Sequence, residues 1–357
     1  MASIGQTGRS MKFAFAKYGT NSWGVAASVT KGHHFDSDGN LQYKVARITD
    51  NAFNQAFLGP SDPGLVEAPE LSLTGRTRYD DYAHVLEACA MGSPATVAIS
   101  TSAAGQTTSW THQIDLADVI DGLGVTLAID KNQFVEELTS AKVQGFEITQ
   151  EDNGAMNTMF KFLGSKPTNI SSVNINSTLA GATYPGFTNR AVQQQGVFRM
   201  NLNSGGALAA GDAIKAQSIR FAFDRPQDAP HVYSQDFVDE PADNGHPTFE
   251  IEVQYPRMNT VSANSLYNAL RSGTAFKADW TFSGAFINST DQYKILFQFP
   301  YLQFTDDGWI GATQGAEQVK PVAKFRPALA PTSPTGMAFV RPFRLTRIMV
   351  NSVNAFA

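Results

Sequence analysis

The chain has 357 residues, more than one ordinary core needs, and 42% are hydrophobic, which permits a packed core and excludes wholesale disorder. A net charge of −5 excludes binding of nucleic acid by counterion release over the whole surface. A single cysteine, Cys89, excludes an internal disulfide and a cysteine-based zinc site. Aromatics reach 11%, with 25 Phe, while charged residues are only 17%; that balance suits strands and a surface covered by neighbouring subunits. Met1–Gly5 carries no charged-then-apolar signal pattern, and no stretch approaches the ~20 apolar residues of a membrane span. The expected location is therefore the cytosol or a particle assembled there, with no membrane partner.

Residues 1–64 hold short strand candidates at Lys12–Ala16, Gly24–Val29 and Leu41–Ile48, with a hairpin signal at Ser37-Asp38-Gly39-Asn40. Leu71 and Leu73 then alternate with polar residues. Asp80 or Asp81 offers a helix N-cap, Tyr82, Val85, Leu86, Cys89 and Ala90 follow at helical spacing, and Gly92 closes the helix. Cys89 reads as a small core residue of that helix. A strand over Ala95–Ile99 comes next. The theme recurs later: Phe249, Ile251, Val253 and Tyr255 alternate with Glu250, Glu252 and Gln254, Pro256 ends the strand, and Ser262 or Asn264 caps a short helix closed by Gly273. Phe276–Phe282 alternates as the following strand. The offset is 180 residues at the strand (Leu71 to Ile251) and 181 at the helix (Val85 to Leu266). Either the chain is internally duplicated or a common local pattern recurs by chance.

Between the halves, Ser165 to Asp212 is poor in charge and rich in small polar residues, as in a linker or an arm ordered only by a neighbour. Ile295–Tyr301, Val322–Leu329 and, after Pro331 and Pro334, Arg341–Val350 complete a dozen or more strands. The expected class is mainly β, two sandwich- or barrel-like domains each with a short helix. Their boundaries are 1–64 for an N-terminal arm and first strands, 65–164 for the rest of domain one, and 165–213 for the linker or arm. Domain two takes 214–330, and 331–357 forms a C-terminal strand and arm.

Charge is unevenly spread. Asp224–Glu252 is acidic, with Asp236, Asp239, Glu240 and Asp243 among its carboxylates, and Glu317–Arg347 is basic, with Lys320, Lys324, Arg326, Arg341, Arg344 and Arg347. The two stretches are either solvated faces or complementary interface patches. The chemistry-bearing motifs are weak. No His pair has metal-ligand spacing, His33-His34-Phe35-Asp36 reads as a solvated turn, and no nucleotide or nucleophile-elbow motif is present. Asp239, Glu240 and Asp243 resemble a glycosidase pair only loosely, because Pro241, Asn244, Gly245 and Pro247 mark a loop. No catalytic residue, cofactor or metal site is expected.

The order of these features resembles the tail tube proteins of long-tailed, siphovirus-like bacteriophages in their two-domain form. The residues concerned are Glu67–Gly75, the helix ending Met91-Gly92, and Val143–Ile148 before Asp152-Asn153-Gly154. In the second half they are Asp239-Glu240-Pro241, Asn244-Gly245, Phe249–Tyr255, the helix and Phe276–Gly284. The likeness spans about residues 10–330 through patterns rather than signatures.

The resemblance implies a non-enzymatic virion subunit, assembled in the host cytoplasm, whose inner strands join around a lumen as a ring-wide β-barrel. It also implies tape measure, tail tip and tail terminator proteins as partners, and DNA only in passage. If the duplication holds, rings close as trimers of pseudo-hexameric symmetry; otherwise six chains make a ring. Glu250, Glu252 and Gln254 are the candidate lumen-facing residues, with an ordinary solvent face as the other reading. The basic stretch is the candidate inter-ring contact for the acidic stretch of the next ring. Other virion parts (tail terminator, baseplate or hub ring) are the first rival, and a carbohydrate-binding or carbohydrate-active sandwich is the second.

Overall fold

The alternating segments form strands, and the fold is mainly β. The computed structural model describes residues 12–18, 23–36, 45–48, 62–66, 68–100, 107–120, 122–132, 134–170, 172–233, 235–256, 268, 271–305 and 322–355. The first strands are β1 (Lys12–Lys17), β2 (Lys31–His33), β3 (Val45–Ile48), β4 (Asp62–Val66) and β5 (Glu70–Arg76). The helix α1 (Ala83–Met91) leads into β6 (Gly92–Ser100), β7 (Ser109–Leu116), β8 (Val125–Asp130), β9 (Val135–Gln150), β10 (Met156–Gly164) and β11 (Pro167–Thr168). The second half contributes β12 (Gly196–Leu202), β13 (Ala213–Ile214), β14 (Ser218–Asp224), β15 (Gln227–Asp228), β16 (Ala242–Asp243) and β17 (Thr248–Gln254). Last come β18 (Ala275–Phe286), β19 (Gln292–Phe304), β20 (Val322–Pro327) and β21 (Arg344–Met349).

Two antiparallel runs make the architecture. One has the order β5–β10–β9–β14–β17–β20. The other has the order β6–β7–β21–β19–β18–β12. The end of β19 also pairs with β20, so the runs belong to one hydrogen-bonded sheet. β2, β1 and β8 extend it from the N-terminal half of β9. The described strands do not close into a barrel. The runs face each other across aromatic side chains: Phe221 of β14 lies 5.2 Å from Phe299 and 6.0 Å from Phe297, both on β19. Phe343, just ahead of β21, meets Phe146, Phe221, Phe223, Phe249 and Phe299 at centroid distances of 5.0 to 6.4 Å. One apolar core runs from Phe13 to Ala355 and draws on both halves of the chain. The strands of the two recurring segments occupy matching places: β5 and β17 each lie two strands from β9, and β6 and β18 each lie two strands from β21.

Helix α1 stops where expected, with Gly92 in the left-handed region at φ 100°. Its start differs from expectation: the N-cap is Tyr82, with no side-chain cap, and the Asp81 carboxylate one residue earlier accepts a hydrogen bond from the Ala83 N–H at 3.0 Å. Its burial differs from the amphipathic expectation, because all nine residues are buried. β6, β7 and β9 pack on it, and the Val353 carbonyl accepts from His84. Cys89 is fully buried there, and burial pushes its thiol up to about 12. Of the second expected helix, Asn268, Arg271 and Ser272 are helical and Gly273 takes φ 64°. The rest of that segment, and the hairpin at Ser37–Asn40, lie outside the described residues.

Three expectations are corrected. Gly24–Val29 is not a strand, since its N–H groups at Gly24, Ala27 and Val29 donate to the side chains of Ser140, Thr126 and Asn176 instead of a ladder. His33 is not in a solvated turn; it sits on β2, is 4% exposed and packs on Phe35 and Phe160. The segment 165–212 is held by its own chain. Asn176 donates to Glu137 at 2.6 Å, Asn174 donates to the Val135 carbonyl, and β12 pairs along β18.

β9 joins the halves because it pairs with β10 on one side and β14 on the other. The close approach occurs at Gly145, opposite Asp224, where a Cβ would stand 2.1 Å from the Phe223 carbonyl oxygen. Gly145→Ala must therefore push β14 away, and urea unfolding should show a loss of about 1–3 kcal/mol.

Candidate functional site: a charge-balanced strand face

The outward phase of β9, β14, β17 and β20 builds one polar face. Phe146 and Ile148, Phe221 and Phe223, Ile251 and Val253, and Ala323 and Phe325 point into the core. The intervening residues must then point out. Register sets them in rows: Thr149, Arg220, Glu252 and Lys324 are successive partners, as are Glu147, Ala222 and Glu250. The rows bring opposite charges together. Arg220 grips Glu147 through two hydrogen bonds of 2.8 Å and reaches Glu250 at 2.8 Å and Glu252 at 3.6 Å. Lys324 binds Glu252 at 2.7 Å, Gln254 accepts from Ser218 at 2.9 Å, and Lys161 meets Asp224 at 3.2 Å. Hydrogen bonds from Arg220 hold the Glu147 carboxyl below its usual range, and Glu147 in turn raises Arg220. Glu250, Glu252 and Gln254 thus share one face, as strand periodicity predicts. That face is not the bare acidic wall that β17 alone suggests.

The acidic stretch finds its bases within the same chain. Asp236 pairs with Lys166, Glu240 with Lys142 at 2.5 Å, and Asp243 with Arg225 at 2.7 Å, while Asp239 accepts from the Glu240 N–H. The side chains of Lys142 and Arg225 are each only 1% exposed, so Glu240 and Asp243 neutralise buried cations. Among the described residues, no group of three or more His, Cys, Asp or Glu could hold a metal ion.

The basic stretch is also engaged within the chain. Arg341 pairs with Asp118, Arg344 with Asp115 at 2.5 Å, and Arg326 donates to Gln303 at 2.7 Å; Lys320 lies outside the described residues. Arg347 requires a correction as an inter-ring contact, because it is fully buried. It donates to Asp81 at 3.1 Å, to Glu87 of α1 at 2.6 Å and to the Arg78 carbonyl at 3.1 Å. Burial alone would lower Arg347, but Glu87 and Asp81 outweigh it and hold the guanidinium above its ordinary value. Sequence reading missed Arg220, Glu147, Asp81 and Glu87 as partners. The polar phase of β9 and β14 marks the first two as outward, but only register pairs them.

Histidines reinforce the same corner. His84 and His112 stand 4.4 Å apart, donating to the Val353 and Asn351 carbonyls at 2.8 and 2.7 Å, and Asp80 accepts the Asn351 N–H at 2.9 Å. Burial, then His112 and Arg347, pushes His84 down to about 3, and burial pushes His33 down to about 4.

Two predictions follow from these buried groups. Arg347→Ala leaves Glu87 and Asp81 buried without their cation and should cost about 3–5 kcal/mol in equilibrium unfolding. Arg341→Ala, on an exposed pair, should leave the unfolding midpoint nearly unchanged. The second prediction concerns pH. His33 and His84 titrate near 6.5 when unfolded and near 4 and 3 when folded, so the unfolded chain binds more protons between those values. Stability must then fall as pH drops below 6.5. Asp80 and Glu87, raised by burial, oppose this at the acid end, so the loss is cleanest just below pH 6.5. Urea midpoints that stay flat from neutral pH to pH 5 would mean these rings are charged in the fold.

Neither a protein-family model nor a curated protein matches the chain.

Proposed function

We propose that the chain is the structural subunit of a phage tail tube, polymerising as stacked rings around a lumen that conducts DNA. The observation that carries this reading is an inversion of polarity over residues 170–176. Asn174 and Asn176 turn inward and are buried, while Ile170, Val173 and Ile175 stand 56%, 64% and 56% exposed. A chain that spends buried hydrogen bonds on asparagines and leaves isoleucines outside is built to be covered by a neighbour. The edge strand β6, with Val97 60% exposed, adds backbone groups suited to pairing with another copy.

The charged face supports the same role. A lumen wall must be wet and rigid, and must offer phosphates no unneutralised cation. Arg220 and Lys324 are already committed to Glu147, Glu250 and Glu252. The matching places of the strands β5 and β17 about β9, and of β6 and β18 about β21, favour the trimeric, pseudo-hexameric ring over six chains per ring. Two tail-tube-like domains and a ring-wide barrel of inner strands belong to this proposal. So do a virion location and tape measure, tip and terminator partners. Arg347 leaves the expected stacking contact because it is buried, and the exposed side chains of Ile170, Val173 and Ile175 join what remains of the basic stretch as the proposed contact.

Negative-stain electron microscopy of concentrated protein tests the reading. Hollow tubes with an axial repeat of roughly 40 Å, the span of a ~150-residue globule, are expected. Single rings would favour a tail terminator. Ile175→Asp should abolish the tubes while leaving the monomer's unfolding midpoint unchanged, because the side chain is already in solvent. Tubes of normal length from that variant would remove 170–176 from the interface.

A further inference from the structure

Two Asn-Gly pairs, Asn153-Gly154 and Asn244-Gly245, carry a chemistry that neither the fold nor the proposed assembly uses. Glycine has no Cβ, so its backbone nitrogen can reach the side-chain carbonyl carbon of the asparagine before it. By local sequence the two are alike, since each is an Asp-Asn-Gly triplet. Their surroundings differ. Asn153 sits in the turn between β9 and β10 at φ 55°, and its N–H donates to Gln193 Oε1 at 2.6 Å. The Gly154 nitrogen, which would make the attack, donates its N–H to the Glu151 carbonyl at 3.3 Å. The Gly154 carbonyl accepts twice, from the Gln193 N–H at 3.1 Å and from Gln150 Nε2 at 3.0 Å. The Asn153–Gly154 peptide therefore cannot rotate onto its own side chain without opening the turn. Asn244 and Gly245 are both exposed, between β16 and β17. The Asn244 N–H is anchored to the Pro226 carbonyl at 2.8 Å. Beyond that anchor the peptide is open: among the described residues, no group accepts the Gly245 N–H or bonds the Asn244 amide. Gly245 takes φ 113°, and apart from its chain neighbours nothing lies within 4 Å of where a Cβ would stand.

We propose that Asn244 is a self-modification site, where the Gly245 nitrogen attacks the side-chain amide and water completes its conversion to aspartate and isoaspartate. The Gly245 N–H gives its proton to solvent base, and the nitrogen bonds to Asn244 Cγ. The C–N bond of the side-chain amide breaks, and ammonia leaves a five-membered cyclic imide. Water then opens the ring. Opening at Cγ gives aspartate; opening at the backbone carbonyl gives isoaspartate, in which the chain runs through the β-carbon. An amide and water have become a carboxylate and ammonia, with no other reactant. Either product sets a new carboxylate beside Asp243, which neutralises the buried Arg225. Isoaspartate also lengthens by a methylene the connection between β14 and β17, two strands of the charge-balanced face. The site thus records time in water as a one-way change of charge and backbone length. This inference does not depend on the tail tube reading.

The test warms the full folded chain at mildly alkaline pH in heavy-oxygen water and follows the products by peptide mass spectrometry. Cleavage after Lys and Arg, with Arg225 spared by the proline that follows it, puts the two pairs on separate peptides, 143–161 and 221–257. Peptide 221–257 should gain a heavy oxygen in two isomeric products. Its rate should exceed that of 143–161 at least about tenfold, because Asn153 reacts only when its turn opens. In urea the two rates should converge, since only the shared triplet then remains. Asn244→Gln enlarges the ring to be closed and should abolish the product in 221–257; the side chain is exposed, so the fold stays as it is. Equal rates in the folded chain, a faster 143–161, or a product that persists in Asn244→Gln would overturn the proposal. So would a folded chain that leaves Asn244 intact over the time in which the urea-unfolded chain converts it.

Discussion

The arrangement rests on the seam where β9 pairs with β14. Phe146 of β9 stands opposite Phe223 of β14, and their rings lie 5.5 Å apart. Phe343 drops onto both from the chain leading into β21. These rings bind one run of strands to the other and the first half of the chain to the second. Aromatic pairs of this kind contribute about 0.5–1.5 kcal/mol each beyond the area they bury. Gly145 lets the two backbones approach at the same place. Without this seam, the polar rows above it lose their register, and Arg220 loses the Glu147 that orients it.

Buried cations form a second tier of constraint. Arg347, Arg225 and Lys142 each have side chains no more than 1% exposed, and each is met by carboxylates or backbone carbonyls. Such pairs add little net stability over apolar packing, yet they strongly penalise any alternative that separates the partners. Arg347 ties β21 to the start of α1, and Lys142 and Arg225 tie the loop at 239–243 to the body. They act as register pins for segments that have few strand partners of their own.

Function, on the proposed reading, follows from what this scheme leaves outside. Charges are neutralised within the subunit on the β9–β14–β17–β20 face, whereas apolar side chains are left exposed at 170–176 and along β6. A surface with balanced charge and selective apolar exposure suits association through defined patches beside a non-adhesive wall.

The amino-acid sequence by itself determined the local structure. Alternation gave β5, β17, β18 and β21, and Gly92 closed α1, because periodicity and capping act within a few residues of chain. The phase of β17 likewise put Glu250, Glu252 and Gln254 on one face. The tertiary structure alone decided the partners of those groups. Arg347 reads as surface charge in a basic run, but β21 lies between β7 and β19 and carries it beneath α1. Gly24–Val29 reads as a strand, but side chains from three distant segments take its N–H groups. The charge-poor stretch at 165–212 reads as a loose arm, yet Glu137 and Val135 anchor its asparagines. In each case the deciding contact spans tens to hundreds of residues, and no local rule encodes a partner at that distance.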